Sequence, residues 1–279
     1  MPARMLPYTI EYSEFSAIYN SLSFVMASMG ASTIYFFFHT SLVAPRFRTA
    51  LCISGLVTLI AFYHYVRIFN SWTEAYQFAD VDADSTEYLL TATGQPFNDA
   101  YRYMDWLLTV PLLLIELVLV MNLDDTTTFN LTSRLGFAAA LMVVLGYPGE
   151  ISDDHGTRWL YWFAAMVPFM YIVYELFVGL ADAVRNQPEN ARSLVSNMRY
   201  VTIFSWCTYP VVFVLPMFGF NGTGAVVAVQ IGYSISDVIS KCGLGLMVTK
   251  IALIKSGNDG AAPALSSSKP LSDYGALGN

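Results

Sequence analysis

Seven apolar stretches, each about as long as a helix that crosses a lipid bilayer, dominate this sequence of 279 residues. About 20 apolar residues in a helix span the hydrocarbon core. Hydrophobic residues make up 55% of the chain and charged residues only 13%. We therefore predict an all-α integral membrane protein with seven transmembrane helices. The predicted spans cover residues 14–40, 47–71, 98–122, 131–149, 157–182, 193–219 and 225–255.

Polar segments separate the spans and mark the ends of the predicted domain. The loop of residues 72–97 is acidic and long enough for a short β-hairpin. Its acidic residues are Asp80, Asp82, Asp84 and Glu87. After residue 256 the sequence is rich in Gly, Ala, Ser, Pro and Asp, a composition that cannot bury a core. We expect a transmembrane domain over residues 1–256 and a flexible cytoplasmic tail over residues 257–279.

Positively charged residues lie mainly on one side of the predicted membrane. They follow the first, third and fifth spans and end the chain, whereas the opposite loops hold mainly Asp and Glu. The cations are Arg46, Arg48, Arg134, Arg185, Arg192, Arg199, Lys250, Lys255 and Lys269. Because short cytoplasmic loops are enriched in Lys and Arg, the N-terminus is expected outside and the C-terminus in the cytoplasm. This arrangement predicts a multi-pass protein of the cell membrane.

Composition argues against two further kinds of partner. The net charge of −7 does not favour a nucleic-acid partner. The three cysteines lie within apolar spans and lack the spacing of metal ligands, so no metal site is expected.

Asp237 and Lys241 stand four residues apart within the last apolar span. An isolated ammonium or carboxylate in hydrocarbon costs several kcal/mol or more, so neither is expected there without a partner or a function. A spacing of four places both side chains on one face of a helix. This pair is therefore the first candidate site.

The third span carries a single polar stripe formed by Arg102, Asp105, Thr109 and Glu116. Their separations of three, four and seven residues keep them on one helical face. Asp105 and Glu116 would lie roughly 16 Å apart along the axis, which suits a proton path with two stations. A structural alternative stays open, in which Asp105 forms an ion pair with Arg102 and Glu116 is protonated in a polar pocket.

His64 lies inside the second span. A single histidine in a helix is more often a core residue than a functional one. If it contacts Asp105, it would stabilise that carboxylate through charge and hydrogen bonding.

Aromatic residues form a stripe in the sixth span. Trp206, Tyr209 and Phe213 repeat at intervals of three and four residues, so they share one helical face. Such residues are usually ordinary core, but this stripe could line an elongated apolar ligand. Pro210 lies beside them and predicts a kink.

Four sequence blocks resemble the microbial rhodopsins, and in particular the xanthorhodopsin and proteorhodopsin group of outward proton pumps. The resemblance extends over nearly all of the chain except its two tails. It implies a seven-helix bundle with retinal in the core that pumps protons in the light and is not an enzyme. The blocks are residues 97–103 (FNDAYRY), 105–112 (DWLLTVPL), 146–152 (GYPGEIS) and 236–241 (SDVISK).

The resemblance also implies a role for each candidate residue. Lys241 would bind all-trans retinal as a protonated Schiff base, with Asp105 as primary proton acceptor and Asp237 as second counterion. Glu116 would be the cytoplasmic proton donor and Arg102 the cation on the outer side. Thr109 completes the triad of the group, and His64 matches the histidine that pairs with the acceptor. The retinal-binding set would be Trp106, Leu113, Trp162, Trp206, Tyr209, Pro210 and Phe213.

Four positions refine this expectation. Trp162 replaces the glycine of members that hold a carotenoid antenna, so retinal is expected to be the only chromophore. Val229 and Phe218 stand where the archaeal pumps place the paired Glu residues of their proton-release group, so early release through such a pair is not expected. Leu113 matches the green-absorbing members. The family also suggests a homo-oligomer, either a pentamer or a trimer.

Other functions stay open at this point. A sensory photoreceptor could use the same retinal pocket and signal to a partner protein. A chloride pump would favour a neutral residue at position 105, and sodium-pumping relatives carry Asn, Asp and Gln at positions 105, 109 and 116, which this chain lacks. A receptor or transporter unrelated to retinal is a further alternative.

Overall fold

Helices account for most of the chain in the computed structural model, which describes residues 7–79, 89–98, 100–220, 222–258 and 260. Six helical segments within these ranges are long and apolar enough to cross a membrane by length and composition. The α-helices are α1 (Tyr12–His39), α2 (Pro45–Ala75), α3 (Tyr101–Met121), α4 (Asp125–Glu150), α5 (His155–Tyr174), α6 (Ala181–Arg185), α7 (Glu189–Val214), α8 (Thr223–Asp237) and α9 (Leu244–Asn258).

The seventh predicted span is present but interrupted. A π-helical turn, Val238–Gly243, separates α8 from α9, so neither α-helix alone has the length of a membrane span. π-Turns are rare and often mark functional sites. A second π-turn, Glu175–Gly179, ends the fifth span, which breaks at Leu180 rather than continuing to residue 182. The seven-helix prediction is therefore confirmed, with these local changes in helix type.

A small antiparallel sheet covers one end of the bundle. β2 (Tyr76–Phe78) and β3 (Leu89–Ala92) form the hairpin expected between the second and third spans. A further strand that was not predicted from the sequence, β1 (Thr9–Glu11), pairs with the other edge of β3 and gives the order β1-β3-β2. The four acidic loop residues lie outside the described part of the chain. The sheet ties the segment before α1 to the connection between α2 and α3.

Aspartates start the fourth and fifth helices. The side chains of Asp124 and Asp154 accept hydrogen bonds from the backbone N–H groups of Thr127 and Thr157. These N-caps satisfy donors that have no partner inside the helix. Hydrogen bonds from the side chain and backbone of Thr127 hold the pKa of Asp124 below its ordinary value, and Thr157 does the same for Asp154.

Apolar side chains occupy both the inner and the outer surfaces of the helices. Phe36 is buried against α9, where a Cβ on Gly245 would lie only 2.4 Å from its ring, so glycine permits this close approach. Phe38 and Phe204 point outward and are 74% and 81% exposed. Helices that are hydrophobic all round are typical of membrane spans.

The predicted division into a domain and a tail stays a prediction. α9 ends at Asn258, slightly beyond the expected boundary at residue 256. Residues 259 and 261–279, which include Lys269, lie outside the described part of the chain. What matters for the site is that α3, α7 and the π-turn of the seventh span meet in the core.

Candidate functional site

A buried cation lies between two buried carboxylates at the centre of the bundle. Lys241 lies in the π-turn, and its Nζ is 3.1 Å from Asp105 Oδ2 on α3 and 2.7 Å from Asp237 Oδ1 at the end of α8. All three side chains are at most 1% exposed. Removing these charges from water would be costly for each alone, so the three compensate one another. We refer to them as the ion triad.

Asp237 is surrounded by neutral hydrogen-bond donors from three helices. Tyr65 Oη on α2 donates to Oδ2 at 2.8 Å. Tyr209 Oη on α7 and Trp106 Nε1 on α3 donate to Oδ1 at 2.5 and 3.2 Å. Ser240 Oγ lies 3.2 Å from Tyr209 Oη. This carboxylate is therefore held in place by several groups besides Lys241.

Asp105 has a different environment although it contacts the same lysine. Within the described residues, its carboxylate oxygens accept no hydrogen bond from a neutral group. Thr109 Oγ1 donates to the backbone oxygen of Asp105 at 2.8 Å rather than to the carboxylate. The Asp105 carboxylate consequently depends on the Lys241 ammonium much more than the Asp237 carboxylate does.

Arg102 is buried on α3, about one turn before Asp105. Glu116 lies on the other side of Asp105 along the helix. Arg102 Nη2 donates to Gln230 Oε1 on α8 at 2.7 Å. The guanidinium carbon lies 5.4 and 5.5 Å from the ring centroids of Tyr65 and Tyr233, within cation–π range. Among the described residues no salt bridge joins Arg102 to Asp105, so the structural ion pair considered from the sequence is not formed.

His64 is half-buried on α2 and has a local partner. Its Nδ1 lies 2.9 Å from the carbonyl oxygen of Ile60, one turn earlier. In the portion of the chain that the structure describes, no hydrogen bond joins the imidazole to Asp105. The pairing of His64 with Asp105 therefore stays a prediction.

Glu116 lies deep in the bundle near the other end of α3. It is fully buried, and Ser54 Oγ on α2 donates to its Oε2 at 2.6 Å. Leu113, about one turn before it along α3, and Leu117, the next residue, are buried as well. A carboxyl group with one neutral donor in apolar surroundings is suited to hold a proton.

A cavity of about 690 Å³, including its open mouth, lies beside residues that contact the ion triad. Six of the eight predicted cofactor-binding residues line it, namely Trp106, Trp162, Trp206, Tyr209, Pro210 and Phe213. Leu113, which is buried in α3, and Lys241 are not part of the described lining. The lining also includes nine residues that were not predicted from the sequence, namely Tyr103, Val110, Met142, Val143, Gly146, Ala165, Met166, Phe169 and Tyr233.

The cavity and the ion triad share a wall. Trp106 and Tyr209 line the cavity and also donate to Asp237, which contacts Lys241. Lysine amines react with aldehydes to form imines, and a protonated imine would keep the positive charge that both carboxylates require. The apolar lining and the nearby amine therefore fit an apolar aldehyde that would be bound covalently to Lys241.

Four polar contacts of the site were missed from the sequence. Ser54, Gln230 and Ser240 are polar residues within apolar spans, a signal that could have identified them as members of a buried network. Tyr65 carried no such signal, because this chain contains 18 tyrosines, many of them in the spans. Only the packing of α2 against the seventh span identifies Tyr65 as a partner of Asp237.

Known proteins resemble this chain over nearly its whole length. A family model described as bacteriorhodopsin-like protein matches residues 17–255. Green-light absorbing proteorhodopsin of Gamma-proteobacterium EBAC31A08 is 31% identical over 243 residues, which cover 86% of this chain and 89% of that protein. Bacteriorhodopsin of Halobacterium salinarum is 28% identical over 250 residues, covering 85% and 87%.

Solved structures show the same fold at higher identity. Xanthorhodopsin, described as a light-driven ion pump with dual chromophore, is 43% identical, with a TM-score of 0.86 over 92% of this chain and 99% of that one. Thermophilic rhodopsin is 42% identical, with a TM-score of 0.86 over 92% and 100%. The matched region includes all seven spans.

Replacing Lys241 by Met should destabilise the protein by about 3–5 kcal/mol, because two buried carboxylates would lose their shared cation. The loss should grow as pH rises, since protonation of a carboxyl group at low pH relieves the repulsion. Unfolding of the ligand-free protein in detergent at several pH values measures this effect. The double variant Lys241→Met with Asp237→Asn should recover part of the loss. A single variant as stable as the native chain would contradict the charge compensation.

Proposed function

Because this chain belongs to the bacteriorhodopsin-like family, we propose that it pumps protons outward in the light with all-trans retinal bound as a protonated Schiff base at Lys241. Membership makes it a retinal protein of the light-driven proton-pump class. The observation that most directly supports this mechanism is the position of the Lys241 nitrogen between two carboxylates, 3.1 Å from Asp105 and 2.7 Å from Asp237.

The cavity supplies the binding site for the chromophore. When bound through an imine to Lys241, retinal supplies a light-absorbing polyene whose isomerisation reorients the N–H of that nitrogen. Trp106, Trp206, Tyr209 and Phe213 would enclose the polyene, because their side chains line the cavity. Their aromatic surfaces exclude water, which strengthens the attraction between the Lys241 cation and its carboxylates.

The unequal surroundings of the two carboxylates support Asp105 as the proton acceptor. Asp237 already receives hydrogen bonds from Tyr65, Tyr209 and Trp106. Among the described residues, Asp105 has Lys241 as its ion-pair partner and accepts no hydrogen bond from a neutral group. Once the N–H of Lys241 turns away, Asp105 loses its compensating charge and is the group that gains most from a proton. The proton therefore moves from the Lys241 nitrogen to Asp105.

Glu116 fits the role of the donor that restores the proton. It is fully buried, with Ser54 as its hydrogen-bond donor, and would be neutral in the dark. It would pass its proton to the Lys241 nitrogen and recover one from the cytoplasm. Asp105 would discharge outward past Arg102, whose guanidinium is held by Gln230. Each cycle then moves one proton outward.

The orientation of the chain sets the pumping direction. By the positive-inside rule, the sheet and the N-terminus lie outside, and the turn between α3 and α4 lies in the cytoplasm. Asp105 and Arg102 then occupy the outer half of α3, and Glu116 the cytoplasmic half. We also propose the cell membrane as its location and a homo-oligomer, pentamer or trimer, as its assembly, both from the family resemblance.

Cells that express the chain with added all-trans retinal should acidify their medium when illuminated. A protonophore should abolish the signal, and Lys241→Met should remove both the visible colour and the acidification. A pH electrode in an unbuffered suspension measures the response. Alkalinisation of the medium would contradict outward pumping. A coloured protein with no protonophore-sensitive signal would favour the sensory photoreceptor instead.

Glu116→Gln should leave the pigment coloured but slow the return of the proton to the Lys241 nitrogen by about 10²-fold or more, because the nearby acid is lost. The rate should then fall about tenfold for each unit rise in pH, since the proton must come from bulk water. Flash photolysis between pH 6 and 8 follows this step. Ser54→Ala, which keeps the acid, is the matched control and should have a smaller effect. An unaltered photocycle in Glu116→Gln would remove Glu116 from the scheme.

Trp162 supports retinal as the only chromophore. Its indole lines the cavity on α5, and Nε1 donates to the carbonyl oxygen of Pro210 on α7 at 3.1 Å. We expect this contact to close the wall between these helices. Adding a hydroxylated carotenoid to the native pigment should therefore give no induced circular dichroism in the carotenoid bands. Trp162→Gly, which removes the indole, is the comparison variant. Induced bands in the native pigment would contradict a closed wall.

A further inference from the structure

The side chain of a second buried lysine, which has no role in the proton path above, contacts the C-terminal end of α3. Lys255 on α9 is 5% exposed. Its Nζ donates to the carbonyl oxygens of Val120 and Met121 at 2.9 Å each and to Gln187 Oε1 at 2.8 Å. Three hydrogen bonds match the three donors of an ammonium group.

The end of α3 explains why a cation is needed there. Asn122 has a left-handed backbone with φ of 55°, which ends the helix abruptly. The last carbonyl groups of a helix have no partner within it and usually bind water. Here Lys255 takes that place, and Gln187 Nε2 adds a hydrogen bond to Met121 O at 3.2 Å. Positive charge at a helix C-terminus is also favoured by the helix dipole.

This cluster lies between Glu116 and the nearest end of the bundle. Val120 follows Glu116 by one helical turn, about 6 Å along the axis. Leu117, Val120 and Met121 are buried, and Glu116 itself has no exposed surface. Water that approaches Glu116 along α3 from this end must therefore pass the carbonyl groups that Lys255 and Gln187 now occupy.

The cluster also joins segments that are distant in sequence. Gln187 lies in the turn between α6 and α7, and its Nε2 also donates to Ala183 O at 2.9 Å. Lys255 Nζ is 5.4 Å from the centroid of the Phe47 ring on α2. The ammonium thus contacts α2, α3 and the turn before α7 from its position on α9. A relative movement of these segments would break its hydrogen bonds.

We propose that Lys255 and Gln187 form a latch, with Val120 O and Met121 O as its acceptors, that keeps the cytoplasmic side of Glu116 dry in the dark. The latch must open before Glu116 can take up a proton. Both residues act through Glu116 and are positioning residues rather than catalytic ones. This inference rests on the proposed pump and adds the step at which cytoplasmic access is controlled.

Weakening the latch should speed proton uptake. Gln187→Ala removes the amide, and Lys255→Met removes the ammonium, so water can reach the carbonyl groups at the end of α3. Each variant should take up its proton at least about fivefold faster after a flash, because a single lost hydrogen bond corresponds to about that factor and each variant loses three. Because both residues belong to one latch, the double variant should be no faster than the faster single variant.

The measurement follows a pH-indicator dye after a laser flash, with purified retinal-loaded protein. Lys250→Met is the matched control, because Lys250 is an exposed lysine on the same helix. Absorption maxima should stay at the native value in all variants, since the latch does not contact the ion triad. Hydrogen–deuterium exchange of the dark, ligand-free protein should rise at the end of α3 in both latch variants and stay unchanged in Lys250→Met.

The outcomes separate the latch from the pump. Native protein that takes up no proton after a flash would remove the proposed function and the latch together. Normal native uptake with unchanged or slower uptake in Gln187→Ala would overturn the latch alone. If Lys255→Met does not fold, Gln187→Ala decides the question by itself. Equal acceleration in Lys250→Met would also overturn the latch, because it would indicate a general effect of lost positive charge.

Discussion

Charge compensation inside the membrane is the constraint on which the rest of this structure depends. One buried ammonium group at Lys241 has to balance carboxylates from two different helices. Each of these charges would be too costly alone in a low-dielectric interior. The balance therefore fixes how α3 lies relative to the seventh span. The π-turn at Lys241 brings the amine into this position without breaking the helical path across the membrane.

The second important feature is the difference between the two carboxylates. Asp237 has three neutral donors, whereas Asp105 relies on the amine. Two carboxylates with identical surroundings would have equal proton affinities, so neither would be the preferred acceptor. Because the neighbours differ, removal of the cation would affect Asp105 most, so the proposed first transfer to Asp105 rests on hydrogen bonding rather than on distance alone.

Two buried lysines serve different purposes in this bundle. Lys241 pairs with two carboxylates, and one of them, Asp237, accepts hydrogen bonds from Trp106 and Tyr209, which line the cavity. Lys255 pairs with carbonyl groups that the end of α3 leaves without helical partners. In both cases the cost of burial is offset by a full set of acceptors. The two lysines differ in their acceptors. Lys241 pairs with carboxylates, which can take up a proton, whereas Lys255 pairs with carbonyl and amide oxygens, which join separate segments.

Much of the fold and the list of candidate residues followed from the sequence alone. Seven apolar stretches predict seven spans because only a helix satisfies its backbone within a bilayer. The spacing of Arg102, Asp105, Thr109 and Glu116 predicts one polar face, because helical periodicity is local. The family resemblance, carried by contiguous blocks, added the expected role of Lys241.

Tertiary structure alone decided which of these residues meet. Tyr65 and Asp237 are separated by 172 positions, Ser54 and Glu116 by 62, and Lys255 and Val120 by 135, and no local pattern relates such positions. The same is true of the strand β1, whose partner β3 lies far along the chain. Sequence determines which groups must be compensated, because burial follows from composition. Packing of the helices determines which partner does so, because contact depends on how the faces of separate helices are turned toward one another.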